Sequence, residues 1–390
     1  MKKNFKIPFF KTNYDRKELN AFSKIVKSGN FSMGEKAKEL EEKISKKLNI
    51  TKDQVALVSS CTTALHLAML VCGISKNDEV LCPSLSFVAD ANCVKYVKAS
   101  PKFVDINSKH DWNISVENLK KKITKKTKAI IMFHYAGYPC DIDKIKKIAR
   151  KYNLFLIEDA CHSTFSKYKN KFLGTFGDIG VYSLYGNKNI TTGEGGMLTL
   201  NDDSLAEKIR IMRLHGISRD AWKRYGKSGF KHWELHVAGY KYNMSDINAA
   251  IGIHQLKKVN RFFQLRKQYA SLYDLAFRQI AELEILETRK YAETSHHLYI
   301  ISLKLDQLKI TRDEFINAIQ SRGIGVAVNY KALHLQPFYQ KECDVIQDTF
   351  PIATNYSESV ISLPLYPRMS IQDVERVIGV ISDLIIRFRR

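Results

Sequence analysis

Between about residues 50 and 200 the chain alternates short apolar runs with amphipathic stretches, which restricts it to one kind of architecture. Runs at 55–58, 79–82, 101–105, 129–133, 155–157 and 181–184 read as strands, and stretches such as 64–70 and 143–151 read as helices between them. Strand–helix alternation at this spacing produces crossover units on a mostly parallel sheet. The fold class expected is therefore α/β, with ligands bound beyond the carboxyl ends of the strands. After Ser245 the pattern changes. Residues 246–280 read as one long helix, 297–303 as a strand, 311–322 as a helix and 371–389 as a closing amphipathic helix. This predicts a large domain over 1–247 and a smaller α+β domain over 248–390, with no internal repeat or low-complexity linker.

Bulk properties narrow the class further. A chain of 390 residues can bury more than one core, and 45% hydrophobic with 11% aromatic content is ordinary for a globular protein. No apolar run approaches the roughly twenty residues of a membrane helix. The start of the chain carries three lysines but no apolar stretch of signal-peptide type, so no secretion is expected. Seven cysteines, odd in number and without a CxxC pair, predict reduced thiols in a cytoplasmic protein, with neither a disulfide framework nor a metal site. The formal charge of +22 raises nucleic-acid binding as a possibility. The lysines, however, follow helical faces, as in 119–128, without interleaved aromatics or a DNA-reading motif. Solvated faces, and no nucleic-acid or membrane partner, are expected. A positive field would also attract a doubly charged, nucleotide-linked substrate.

Two strand ends carry the chemistry. The run 153–159 closes on Glu158 and Asp159, and the small-residue loop after Ser183 carries Lys188, followed by Gly193, Glu194, Gly195 and Gly196. A loop lysine and a strand-end aspartate are the groups that pyridoxal 5'-phosphate (PLP) requires. The lysine forms a Schiff base, and the aspartate keeps the pyridine nitrogen protonated so that the ring acts as an electron sink. Ser59, Ser60, Cys61, Thr62 and Thr63 follow a strand and open a helix, where free N–H groups offer a phosphate seat. Ser183 could add a hydroxyl to it. Phe87, just past another strand end, could stack on the pyridine, and His162 could meet the ring hydroxyl.

With these residues in place, the chain resembles the DegT family of sugar-nucleotide aminotransferases, a branch of fold-type I PLP enzymes. The matches run from Ser28, Gly29 and Gly34 through Ser60–His66, Phe133–Pro139, Glu158–Ala160, Gly174–Asp178, Lys188–Gly196, Leu214–Gly216 and Gly239–Asp246 to Ser362–Pro367. The resemblance implies a mostly parallel central sheet with helices on both faces and a smaller C-terminal α+β domain. It implies Lys188 as Schiff-base lysine and proton shuttle, Asp159 on the pyridine nitrogen, Phe87 on the ring, and Cys61, Thr62 and Ser183 on the phosphate. In many members the segment after Gly239 has asparagine in place of Lys241 and arginine in place of Asn243. That asparagine reaches the neighbouring subunit's cofactor phosphate, so Lys241 or Asn243 would do so here, in a homodimer with shared sites. His162 stands where glutamine is common, and Asp90 where threonine is common.

The implied activity is transamination. L-glutamate converts PLP to the amino form, PMP, which then aminates a nucleotide-linked keto sugar for surface glycan or polysaccharide synthesis. Family dehydratases have histidine in place of the lysine, and Lys188 argues against that reaction. The variants at 217–222 and 239–243 look more like members that use UDP-linked 4-keto-6-deoxy sugars. A GDP-perosamine-type or 3-amino-sugar aminotransferase is the alternative. A PLP-binding, DNA-binding regulator would use the positive charge differently. His215, Arg219, Trp222, Tyr330 and His334 fall in regions that meet the nucleotide sugar in relatives.

Overall fold

A computed structural model describes residues 5–217, 234–343, 345 and 350–390. Seven strands form the main sheet. In chain order they begin with β1 (Val55–Val58), β2 (Glu79–Pro83), β3 (Ser100–Val104), β4 (Thr127–Phe133) and β5 (Phe155–Asp159). Two short strands follow, β6 (Lys167–Tyr168) and β7 (Lys171–Phe172), before β8 (Ile179–Ser183) and β9 (Gly196–Leu200) complete the set. The spatial order is β1-β9-β8-β5-β4-β2-β3. Strands β8, β5, β4, β2 and β3 pair in parallel, and β9 alone runs antiparallel to both its neighbours.

The strands read as continuous apolar runs because both faces of the sheet are covered. Alternate side chains serve different cores. In β4, Ile131 and Phe133 join one apolar cluster, while Ile130 and Met132 join another. In β1, Ala56 and Val58 pack on one side and Val55 and Leu57 on the other. The helix Ile142–Lys151 shows the complementary pattern. It buries Ile142, Ile145, Ile148 and Ala149 at helical spacing and leaves Lys144, Lys147 and Lys151 exposed.

Beyond the main sheet, β10 (Leu283–Ile285), β12 (Tyr299–Leu303) and β13 (Val360–Leu363) form an antiparallel sheet in the order β10-β12-β13. The small β11 (Ala292–Glu293) pairs with β6. The helices Asp246–Phe277, Arg312–Ser321 and Ile371–Phe388 pack around the antiparallel sheet, as Tyr273, Phe277, Phe315, Ile319, Val377 and Ile381 share one cluster with Ile301 and Ile361. Ile7, from the opposite end of the chain, belongs to that cluster and bridges to Ile324.

One carboxylate ties the long helix to the N-terminal region. Asp246, at the first position of Asp246–Phe277, accepts N–H groups from Gly34 at 2.8 Å, Lys36 at 3.1 Å and Ala37 at 2.9 Å. It thereby satisfies the orphan donors at the start of the helix Glu35–Leu48, whose own N-cap, Gly34, has no side chain to do so. A Cβ at Gly34 would stand 2.9 Å from Asp246 Oδ2, so the glycine and the aspartate require each other.

Candidate active site

The carboxyl ends of β1, β2, β5 and β8 lead into one cleft of about 340 Å³. Its lining includes Ser60, Cys61, Thr62, Phe87, Asp159, Cys161, Ser183, Tyr185, Lys188, Glu194, Gly195, Asn329 and Tyr330. Seven of the residues singled out from sequence therefore meet there: Cys61, Thr62, Phe87, Asp159, Ser183, Lys188 and Tyr330.

One wall is the start of the helix Cys61–Val71. Ser60 caps it by accepting the Thr63 N–H at 3.1 Å, and Thr63 Oγ1 accepts the Ser60 N–H in return. The N–H groups of Cys61 and Thr62 find no acceptor among the described residues and open to the cleft at the positive end of the helix dipole. Gly196 lets β9 pass directly beneath this turn: a Cβ there would stand 2.6 Å from Cys61 N.

Strand alternation separates the two carboxylates of β5. Glu158 is fully buried and accepts from His134 at 2.8 Å, Gly174 N at 2.6 Å, Phe176 N at 2.8 Å and Gly177 N at 3.1 Å. Full burial alone would raise its pKa, but these donors outweigh it and hold the carboxyl below its usual range. It is a structural group. Asp159 points the other way, to the cleft, where its Oδ1 accepts the Cys161 N–H at 2.8 Å.

Lys188 Nζ stands 3.4 Å from His297 Nε2. The hydrogen bonds fix the tautomer of that histidine. Asn189 Nδ2 donates to Ser295 O at 2.9 Å, which turns Asn189 Oδ1 toward His297 Nδ1 at 3.0 Å. Nδ1 then carries the proton, and Nε2 offers a lone pair to the lysine. Burial, followed by the nearby Lys188 charge, pushes the His297 pKa well below the ordinary value, so the ring stays neutral. His297 lies 109 positions from Lys188, and the sequence reading did not find it. It falls within the residues read as a strand, where a histidine carries no local mark of function.

The remaining expected residues are distributed differently. His162 lies behind the cleft, fully buried, with Nε2 2.9 Å from the Tyr330 hydroxyl and its ring stacked on Tyr330 at 5.8 Å. Burial and the Lys188 charge also depress its pKa well below the usual value. His334 is outside the lining: it is held between the Ser84 hydroxyl and Thr354 Oγ1, the latter at 2.9 Å. His215 is exposed with φ 59° and shares backbone hydrogen bonds with Tyr240 and Gly239. Lys241 is exposed and Asn243 half-buried, and neither lines this cleft. Arg219 and Trp222 lie outside the described residues.

A sequence profile of the DegT/DnrJ/EryC1/StrS aminotransferase family matches residues 12–382. The chain belongs to that family. It is 42% identical over 379 residues to MJ1066 of Methanocaldococcus jannaschii, covering 97% of each chain. It is 37% identical over 385 residues to the spore coat polysaccharide biosynthesis protein SpsC of Bacillus subtilis, covering 98% of each. Among solved structures, Spr1654 of Streptococcus pneumoniae, named as a sugar aminotransferase, superposes in its PMP-form with a TM-score of 0.90, 28% identity and coverage of 98% and 99% of the two chains. Its PLP-form gives a TM-score of 0.88. This DegT-family chain is thus a sugar aminotransferase of fold-type I with a PLP cofactor and PMP as its amino form.

The cleft fits that cofactor on its own terms. Two N–H groups without an acceptor among the described residues and Ser183 offer a phosphate position, a carboxylate and an amine line the same cleft, and Phe87, 49% exposed, stands 5.6 Å ring to ring from Tyr330. Cys61, Asp159 and Cys161 have ligand-type atoms within 4.8 Å of one another. They are part of this same floor. The adjacent Cys61 thiol and burial push the Cys161 thiol well up, so it stays protonated.

Proposed function

We propose that the protein transfers the amino group of L-glutamate to a nucleotide-linked 4-keto-6-deoxy hexose, UDP-linked, for surface glycan or polysaccharide synthesis, acting as a cytoplasmic homodimer. The observation that carries the aminotransferase reading is the convergence of Lys188, Asp159 and the Cys61–Val71 helix start in one cleft. The relation to SpsC supports a glycan role, and the +22 charge suits a doubly charged nucleotide substrate.

In this reading Cys61 N–H, Thr62 N–H and Ser183 Oγ hold the phosphate. Asp159 accepts from the pyridine nitrogen, and Phe87 and Tyr330 cover the ring. The bound cofactor supplies an electron sink for the carbon that loses or gains a proton. Lys188 Nζ holds that proton and moves it in both half-reactions. The neutral His297 keeps an acceptor facing Nζ and adds no second positive charge there. Glu194 and Tyr185, both exposed, also line the cleft.

The test is a panel of UDP-, dTDP- and GDP-linked keto sugars incubated with the protein and glutamate and read by mass spectrometry. The expected product carries a hydrogen and an amino group in place of the keto oxygen, from a UDP-linked 4-keto sugar. A GDP-linked or 3-keto substrate would replace the proposed specificity. Lys188→Ala should retain PLP through the phosphate seat while losing about 10²–10⁴-fold in rate. Wild-type turnover in Lys188→Ala would overturn the assignment of the lysine.

A further inference from the structure

Asp90, in the second position of the helix Ala89–Tyr96, is 1% exposed, and neither of its carboxyl oxygens receives an N–H or O–H from the described residues. A buried carboxylate without a donor is among the most costly arrangements a fold can hold. Its side chain lies within hydrogen-bonding reach of Asp159 and Ser86. Ser86 Oγ, however, is directed to the carbonyls of Pro83 and Phe87. Two ionised carboxylates could not face each other here, because neither would have a proton to offer. A proton on one of them supplies the missing donor and removes one charge.

We propose that Asp90 is a positioning residue that stays protonated and donates its hydrogen bond to Asp159, so that the two carboxyl groups share one negative charge toward the cofactor's pyridine nitrogen. The inference rests on the PLP reading of this cleft. Which carboxyl keeps the proton follows from the surroundings. Asp159 has the Cys161 N–H on Oδ1, whereas Asp90 has no other donor. Burial, and next the charge of Asp159, push the Asp90 pKa well above the carboxylate range. The other titratable groups facing Asp90 are the thiols of Cys161, Cys82, Cys93 and Cys61, all with raised pKa and so all neutral. The Cys82 and Cys93 thiols donate to the Asp90 main-chain carbonyl and leave the side chain alone. Asp159, accepting from both Cys161 N–H and Asp90, is held in one orientation, with its charge directed to the ring nitrogen, where the electron sink needs a proton.

The sign of the pH dependence follows. The folded-state pKa of Asp90 is raised, so the stability contributed by its neutral form is full below the unfolded value of about 3.9 and is lost as pH rises toward the folded value. In cofactor-free protein, the melting temperature of wild type relative to Asp90→Asn should therefore fall as pH rises above the unfolded carboxylate value of about 3.9. The fall should end at a lower pH when Asp159→Asn removes the facing charge. A difference flat with pH would overturn the shared proton.

With PLP added, Asp90→Ala should shift the pH titration of the visible cofactor band and lower kcat about tenfold, the scale of one hydrogen bond to a charged group, with KM for glutamate less affected. Asp90→Asn, which retains a donor, should restore most of kcat and the band position. If Asp90→Ala matches wild type in both, the positioning role falls. If wild type forms no visible band with PLP, the cofactor reading fails, and the cofactor-free slope still decides the carboxyl pair.

Discussion

Glu158 and Asp159 carry the same functional group one position apart, and the strand they share sends them to opposite environments. Their four-donor and one-donor surroundings are the reason one is structural and the other faces the cleft. The distinction yields a paired measurement. Asp159→Asn should lower turnover on the order of a hundredfold, because an amide cannot stabilise a protonated pyridine nitrogen. The same change should leave the melting temperature nearly unmoved. If Asp159 were only a cap for the turn after β5, the outcome would reverse, with activity preserved and melting temperature lowered, so both are read on one sample. Residues whose place in the cleft follows from local context, Lys188 in its glycine loop and Asp159 at its strand end, were legible from sequence. His297 was not, because its relation to Lys188 comes from the β12 region returning to the cleft and from an Asn189–Ser295 bond that only the fold creates. His334, expected from the resemblance to fall in a region that meets the nucleotide sugar, lies outside the cleft lining, held by the hydroxyls of Ser84 and Thr354.

Elements were legible where burial produces a strong pattern. The expected strand at 55–58 coincides with β1, and the long helix expected over 246–280 is observed as Asp246–Phe277. The strand β9 escaped because its five residues follow the lysine loop without a break, and its role is set by position. It runs antiparallel between β1 and β8, and its first residue, Gly196, supports the turn where the phosphate seat begins. That contact makes a specific demand on the glycine. Gly196→Ala would place a methyl group 2.6 Å from Cys61 N and push the start of the Cys61–Val71 helix outward. The expected cost is about 1–3 kcal/mol of stability by urea unfolding, the usual range for forcing an extra carbon into a packed site. PLP affinity should weaken with it, since the displaced N–H groups are those proposed to hold the phosphate. Unchanged affinity in a folded variant would show that the seat does not depend on β9. The asparagine and lysine segment after Gly239 also reads differently once seen as an element. Tyr240 and Tyr242 stack on each other at 4.9 Å and pack around His66 of the phosphate-seat helix, with Tyr242 OH 3.1 Å from His66 Nδ1.

At the scale of the whole molecule, that packing anchors the segment to the seat helix from behind. The backbone of residues 242 and 243 meets β1 and Ser59, while Lys241 remains exposed and Asn243 keeps Oδ1 buried without a partner among the described residues. Neither side chain enters its own chain's cleft, although the segment is rigidly held beside it. Phe31, Phe87 and Tyr185 are exposed apolar groups. These features support a dimer in which Lys241 or Asn243 of one subunit completes the phosphate seat of the other. Subunit mixing tests the arrangement. Lys188→Ala lacks the lysine, and a variant altered at both Lys241 and Asn243 lacks the crossing contact, so each homodimer should be inactive or nearly so. In a heterodimer, one of the two sites has an intact lysine on one chain and intact Lys241 and Asn243 on the other. Activity should return to about a quarter of wild type when equal amounts exchange at random, because half the dimers are mixed and each has one complete site of two. Recovery near this level, with subunit exchange verified by native mass spectrometry, supports shared sites. No recovery after verified exchange would mean that each chain builds its site alone, and that Lys241 and Asn243 serve the fold of the seat helix instead.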